Sequence, residues 1–221
     1  MTIKQRILSY KYELFLVGQL SILFGTLLVP SGNYGKWISL LLFCLNVGSG
    51  SLILFAETNR GLFKALVTSI LITTIFILTS FYPSQSPIQY LKFITMFAFY
   101  IIVTWVLIRQ VWRSEQVTTK TILGLIAGFI NLGLVGFFIF LSIELVNADS
   151  FSGMGSLTDY ERTERVMYFS FITLLTIGYG EIVPETDMAQ KATIFVGLIG
   201  QLYLAVLTAI IIGKYLTHQE R

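Results

Sequence analysis

The chain contains little of what an enzyme or a disulfide-bonded domain needs. Among its 221 residues there are one cysteine and one histidine, Cys44 and His218. A single cysteine cannot form an intrachain disulfide, and this inventory provides neither a metal cluster nor a nucleophile paired with a base. We therefore expect no enzymatic activity, no cofactor and no nucleic-acid partner.

Charge is scarce as well. Charged residues make up 12% of the chain and hydrophobic residues 55%, and the mean hydropathy is +0.77. A soluble domain of this length needs far more polar surface. Most of the apolar residues fall into blocks that approach the roughly 20 residues needed to cross a bilayer. The six blocks are 12–30, 37–55, 62–82, 89–109, 119–147 and 191–213. They predict an all-α membrane protein with six transmembrane helices.

The basic residues indicate the orientation of these helices. Six crossings put both termini on one side, and a cytoplasmic position for both places ten of the 15 Lys and Arg residues inside. This agrees with the positive-inside bias of short loops. A cleaved signal peptide is the alternative, but the first apolar run is long and no small-residue cleavage site follows it. We expect a multi-pass protein of the plasma membrane with both termini cytoplasmic.

The first four blocks predict a four-helix membrane domain over residues 1–115. Pro83 and Pro87 are expected to block helix continuation at a tight external turn. The fourth block has Lys92 at one end and Arg109 at the other, with no basic residue between them. One charge moved through the membrane field is worth about 2.3 kcal/mol per 100 mV, so a steep voltage response needs several charges per subunit. We therefore expect weak or no intrinsic voltage gating of that type.

The pattern changes between the fifth and sixth blocks. Residues 148–162 are mostly polar and contain glycine, and the 13 residues Thr163–Leu175 become mostly apolar. At about 1.5 Å per residue, a helix of this length reaches roughly 20 Å and cannot cross the membrane. A re-entrant helix surrounded by protein is therefore predicted. The residues Thr158–Glu161 have the spacing of a capping box and mark its start.

The short helix is followed by Thr176-Ile177-Gly178-Tyr179-Gly180. Four extended strands around one axis can replace the water shell of a crossing ion with rings of backbone carbonyl oxygens. Carbonyls that all point inward require unusual backbone angles, which glycine tolerates at alternating positions. Thr176 can add its hydroxyl oxygen. Ile177 and Tyr179 are expected to point outward and pack the strand against its helix.

Residues 168–184 resemble the pore loop of potassium channels, whose threonine-valine-glycine-tyrosine-glycine segment forms the selectivity filter. We call Thr176–Gly180 the filter segment. The resemblance implies a homotetramer in membrane lipid with a pore domain over residues 116–221. It also implies that potassium ions are bound by the backbone carbonyls of Thr176, Ile177, Gly178 and Tyr179.

Three residues are expected to support the filter segment: Thr173, Leu175 and Glu181. Two of them depart from the family pattern, which usually has threonine in place of Leu175 and aspartate in place of Glu181. Neither change removes a carbonyl of the filter segment, so selectivity should survive. Inactivation and sensitivity to blockers are left open by these departures.

The last apolar block is expected to line a water-filled cavity below the filter segment. Gly200 stands where the resembling family has a hinge glycine, and it is our candidate gating hinge. The alternative is that Gly197 and Gly200 let another helix approach closely. Gln201 either faces the cavity or bonds to a neighbouring helix. Asn46 and Asn131 are expected to bond between helices, and Glu57 and Glu144 to lie at membrane edges.

Two features at the ends of the pore domain add further expectations. Acidic residues outnumber basic ones on the outer side, and they form either a vestibule that attracts cations or ordinary solvated loops. The short tail after Lys214 leaves no room for a regulatory domain in this chain.

Two other functions compete with a potassium channel. A less selective monovalent cation channel would result if Leu175 and Glu181 loosened the filter segment. A secondary transporter or a non-conducting scaffold is the other possibility, but transporters commonly have paired broken helices in two related halves, and only one break is visible here.

Overall fold

The computed structural model describes residues 9–28, 33–56, 61–80, 87–114, 118–155 and 159–219. Within these ranges the chain forms seven helices and one pair of short strands. In chain order they are α1 (Lys11–Leu28), α2 (Asn33–Phe55), α3 (Gly61–Ser80), α4 (Pro87–Arg113), α5 (Thr119–Val146), β1 (Phe151–Ser152), α6 (Asp159–Leu174), β2 (Val183–Pro184) and α7 (Asp187–Gln219).

Each of the six apolar blocks coincides with a helix, so the predicted all-helical architecture is confirmed. An apolar segment satisfies its backbone N–H and C=O groups internally when it is helical, which lipid requires. Three described stretches are long and apolar enough to cross a membrane: Phe93–Arg113, Thr119–Val146 and Asp187–Gly213. Two shorter apolar helical stretches are Leu41–Phe55 and Phe63–Leu78.

Some helix boundaries differ from the prediction. The helix α4 begins at Pro87, before the predicted block 89–109, so this proline starts a helix as well as separating it from the preceding one. Proline is favoured at this position because the first N–H groups of a helix have no partner within it. The short helix α6 begins at Asp159, within the residues Thr158–Glu161 that were predicted to mark its start, although the apolar run begins only at Thr163. The proposed cap residue Thr158 and the turn residue Pro83 lie outside the described residues.

Threonine hydroxyls cap two of the helices. The N–H of Thr121 donates to Thr118 Oγ1 at 3.3 Å at the start of α5, and the N–H of Ala189 donates to Thr186 Oγ1 at 3.3 Å at the start of α7. A side-chain oxygen in this position satisfies one of the free N–H groups of the first turn. A threonine hydroxyl therefore stabilises the first turn of each of the two longest described helices.

The chain forms two compact units that divide within α5. The first unit is Met1–Ser114 together with Thr118–Gly128, and the second contains Phe129–Arg221. The core of the first unit is mostly apolar but includes bonded polar groups. The Tyr100 hydroxyl donates to Asn46 Oδ1 at 2.9 Å, which gives Asn46 the interhelical bond expected of it. Asn131, in the second unit, is fully buried.

In the second unit, small residues let α6 approach α5 closely. A Cβ atom on Gly133 would overlap the ring of Phe171, and one on Gly136 would lie 2.6 Å from Ser170 Oγ. The Ser170 hydroxyl also donates to the Gly133 carbonyl at 2.7 Å. Small residues commonly produce such close helix contacts in membrane proteins.

A short antiparallel pairing joins the segment after α5 to the segment before α7. Phe151 pairs with Pro184, and Ser152 pairs with Val183. Phe151 is buried and lies 5.5 Å from Phe140 and 5.2 Å from Phe169, measured between ring centroids. The aromatic cluster therefore fixes this pairing to α5 and α6. Strands of two residues have no periodicity, so the sequence did not predict them.

Candidate functional site

The helix α6 ends in a hydrogen-bonded cap that leads into the filter segment. The N–H of Ile177 donates to the Ile172 carbonyl at 2.9 Å, and the N–H of Thr176 donates to the Thr173 carbonyl at 3.0 Å. These two bonds, spanning five and three residues, are those of a Schellman motif. The motif requires a left-handed residue after the helix, and Thr176 occupies that position with φ 56°. Glycine is the usual residue there, so Thr176 is held in a conformation that is strained for a β-branched side chain.

Left-handed residues then recur along the filter segment. Gly178 has φ 56° and Gly180 has φ 88°, whereas Ile177 and Tyr179 have negative φ values. Alternation of this kind turns successive peptide units so that their carbonyl oxygens can face one side of the chain, and glycine makes the left-handed positions accessible. The structure thus has the unusual backbone that the sequence predicted at both glycines. It adds Thr176 as a third left-handed position.

The two glycines of the filter segment are required by backbone conformation and not by lack of space. A Cβ atom added to Gly178 or to Gly180 would meet no atom within 4 Å in the chain. An L-residue with a positive φ is nevertheless strained, because its Cβ approaches its own backbone. Substitution at these positions should therefore act through local backbone geometry.

The side chains between the left-handed residues are exposed in the single chain. Ile177 is 47% exposed and Tyr179 is 74% exposed. We expected them to pack against the short helix, and one chain does not provide that packing surface. Leu175, at the end of α6, is exposed to a similar degree. The side chains of Leu175, Ile177 and Tyr179 therefore project from the end of α6 and from the filter segment, and the described part of the chain does not cover them.

Glu181 follows the filter segment and is bound to α6. The Tyr168 hydroxyl donates a hydrogen bond to the Glu181 carboxylate, and this bond is the main reason why the pKa of Glu181 is lowered. The same bond raises the pKa of Tyr168. The longer carboxylate that departs from the family pattern is thus held by a phenol on the preceding helix. No motif in the sequence pointed to Tyr168, because its role depends on a tertiary contact with Glu181.

The carbonyl of Glu181 is enclosed from the other side by the segment after β1. Gly153 has φ 81°, and a Cβ atom on it would overlap the Glu181 carbonyl oxygen. The N–H of Glu185 donates to the Ser150 carbonyl at 2.8 Å, which adds a second link between the same two segments. The end of the filter segment is therefore held between α6 and the β1–β2 pairing.

A buried ion pair fixes the start of α6 to the end of α5. Glu144 is only 3% exposed, and its Oε1 lies 3.2 Å from Arg162 Nη1. The same oxygen accepts a hydrogen bond from the N–H of Asp149 at 3.4 Å. We expected Glu144 to lie at a membrane edge, where charges are tolerated. Its carboxylate lies near the end of α5 and is buried among protein groups, where a partner is needed because a buried charge without one is costly. The position at a membrane edge stays a prediction.

Two consecutive residues of α7 contact the end of α6 and the first residue of the filter segment. A Cβ atom on Gly200 would lie 2.5 Å from the Leu174 carbonyl oxygen, so this glycine allows α7 to pack against the end of α6. The next residue, Gln201, donates from Nε2 to Thr176 Oγ1 at 3.2 Å. Gly197 is less crowded, because its nearest atom would be the Thr173 carbonyl oxygen at 3.9 Å. Close packing, one of the two alternatives for Gly200, is therefore present, and its role as a hinge stays a prediction.

The described residues contain no group of three or more His, Cys, Asp or Glu side chains that could hold a metal ion. Oxygen atoms at the site come instead from the backbone of the filter segment and from the Thr176 hydroxyl.

One comparison with known proteins matches most of the second unit. Residues 129–217 match a family model described as an ion channel, so this part of the chain is similar to an ion channel domain. The match begins at Phe129, where the main segment of the second compact unit begins, and it contains α6, the filter segment and most of α7. No curated protein and no solved structure matches the chain. The family is consistent with the resemblance of residues 168–184 to a potassium channel pore loop.

Proposed function

We propose that this chain, whose residues 129–217 are similar to an ion channel domain, is one subunit of a homotetrameric potassium channel in the plasma membrane. The observation that carries the proposal is the alternation of left-handed residues at Thr176, Gly178 and Gly180 directly after a capped helix. This backbone can turn a row of carbonyl oxygens toward one line. Four copies around an axis would make that row into rings of oxygens that replace the hydration shell of potassium.

The exposed side chains favour assembly of several copies. Ile177 and Tyr179 project from the filter segment, and only 11% of the apolar part of α7 is buried within one chain. A filter made of carbonyl rings needs four strands, whereas each chain supplies one. A closed four-fold ring satisfies both requirements, because neighbouring copies cover the side chains while their backbones meet at the axis.

Each part of the second unit has a role in this proposal. The carbonyls of Thr176, Ile177, Gly178 and Tyr179 bind dehydrated potassium, and the Thr176 hydroxyl faces the ion at the cavity end. The helix α6 directs the negative end of its dipole toward the cavity, which favours a cation there. Glu181 and Tyr168 hold the outer end of the strand, and α7 lines the cavity.

Steep voltage gating is not part of the proposed function. The buried residues described on α4 are all neutral, and they include Met96, Tyr100, Val103 and Leu107. Arg109 and Arg113, near the end of the helix, are exposed. A helix that senses voltage needs several charges that move through the field. We therefore propose a channel whose open probability varies only weakly with voltage.

The experiment is conduction by purified protein in planar bilayers with potassium on one side and sodium on the other. A reversal potential that follows the potassium gradient supports the proposal. Discrete currents that reverse near zero under these conditions would indicate the less selective cation channel. Transport without discrete current steps would indicate a carrier and contradict both forms of the channel.

A further inference from the structure

Gln201 places a polar side chain inside an otherwise apolar helix and directs it at the filter segment. Its Nε2 atom lies 3.2 Å from Thr176 Oγ1. An amide in an apolar membrane helix is costly unless it is hydrogen-bonded. Its partner could have been a carbonyl within α7, as for Thr208, whose hydroxyl donates to the Leu204 carbonyl at 2.8 Å. Gln201 reaches a different element instead.

Both ends of this hydrogen bond lie on backbone that is held in place. On α7, the contact of Gly200 with the Leu174 carbonyl sets how closely the helix approaches the end of α6. On the filter segment, the N–H of Thr176 is bonded to the Thr173 carbonyl within the helix cap. The left-handed conformation of Thr176 then fixes the direction of its Cβ atom. The amide and the hydroxyl therefore meet because two backbone contacts position them.

We propose that Gln201 is a positioning residue that weakens the innermost cation site by donating to the Thr176 hydroxyl oxygen. This inference rests on the proposed function, in which the same oxygen faces potassium at the cavity end. The amide hydrogen carries partial positive charge and occupies one lone pair of that oxygen. It thereby makes the oxygen a poorer ligand for a cation. Four copies would place four such amides around the exit to the cavity, where weaker binding lets the ion leave more easily.

The test is block by barium applied from the cytoplasmic side, because Ba²⁺ has nearly the radius of K⁺ and twice its charge, so it reports on oxygen ligands. Gln201→Met removes the amide and keeps the length of the side chain. We expect the dissociation constant of Ba²⁺ to fall about two- to tenfold, the range that one hydrogen bond of ordinary strength represents. Thr208→Val is the matched control: it removes a polar group two turns further along α7 and should leave barium block unchanged.

A second variant and a second background keep the test decisive. Gln201→Leu should tighten barium block in the same direction if Gln201→Met does not assemble. In a Thr176→Ala background the hydroxyl is absent, so Gln201→Met should then have no effect on block. Unchanged block in both Gln201 variants overturns the inference, as does an equal effect with and without the hydroxyl. Weaker block also overturns it, because the amide would then be accepting from the hydroxyl.

These outcomes separate the inference from the function on which it rests. Wild-type protein that carries potassium-selective current, together with unaltered barium block in the Gln201 variants, removes only the role of Gln201. Wild-type protein without potassium-selective current contradicts the proposed function, and the inference with it.

Discussion

The Tyr168 hydroxyl donates to the Glu181 carboxylate and thereby joins the short helix α6 to the residue that follows the filter segment. The bond closes a loop of backbone that contains every residue of the filter segment. Because an ionised carboxylate accepts this bond more strongly than a protonated carboxyl group does, protonation of Glu181 weakens the link at the outer end of the filter segment.

Tyr168→Phe should make the channel more sensitive to acid. The pKa of Glu181 is lowered chiefly by the Tyr168 bond, so the stabilisation is present above the ordinary carboxyl pKa and is lost as pH falls through the lowered value. Without the phenol, the pKa of Glu181 rises toward its usual range. We expect the current to decline at a higher pH in the variant than in the wild type, measured with external solutions between about pH 3 and pH 6.

The control for this prediction is Tyr10→Phe, which removes a phenol from an exposed position in the first unit. It should leave the acid dependence of the current unchanged. Identical acid profiles for wild type and Tyr168→Phe would show that the bond does not hold the filter segment.

Gly178→Ala should abolish potassium selectivity or conduction. Its φ of 56° is strained for alanine, while the surrounding space is open. Gly155→Ala is a matched control, because Gly155 has φ 61° and equally open surroundings outside the filter segment. Both changes should cost about 1–2 kcal/mol of backbone strain. Only the first should alter the reversal potential in mixed potassium and sodium, and normal selective current from Gly178→Ala would contradict the role given to this glycine.

Gly153→Ala should destabilise the outer end of the filter segment. The added Cβ would overlap the Glu181 carbonyl oxygen, and φ is 81°. We expect a loss of about 2–4 kcal/mol, the sum of left-handed strain and overpacking. Thermal unfolding in lipid nanodiscs should therefore show a clearly larger loss for Gly153→Ala than for Gly155→Ala. Equal losses would indicate that the carbonyl moves away without cost.

Glu144→Gln should destabilise the second unit by about 1–3 kcal/mol, because it leaves Arg162 without its charged partner. The effect is smaller than for a fully buried pair, since the Arg162 side chain is 31% exposed. The double variant Glu144→Gln with Arg162→Met should lose less than the sum of the two single losses. Additive losses in thermal unfolding would show that the two residues are not coupled.

The helices could be predicted because composition decides them. Long runs of apolar residues must satisfy their backbone groups internally, so each of the six blocks became a helix. The glycines of the filter segment were equally readable, because Gly178 and Gly180 alternate and glycine is the residue that tolerates left-handed backbone. The left-handed conformation of Thr176 could not be predicted from its residue type. Its positive φ follows from the cap of α6, which depends on hydrogen bonds that no single residue type indicates.

Contacts between distant residues were the part that the sequence left open. The bond from Tyr168 to Glu181, the pair of Glu144 with Arg162 and the short β1–β2 pairing depend on tertiary structure, and no local spacing encodes them. Gln201 had two possible environments, a cavity or another helix. The structure shows a third environment, because Gln201 donates to the Thr176 hydroxyl at the start of the filter segment.

The most direct measurement is an experimental structure of the protein in lipid nanodiscs that contain potassium. The account predicts a four-fold assembly in which ion density lies on the symmetry axis between rings of carbonyl oxygens from Thr176 to Tyr179. Residues 176–180 far from any symmetry axis, or a protein that remains monomeric in native lipid, would contradict it.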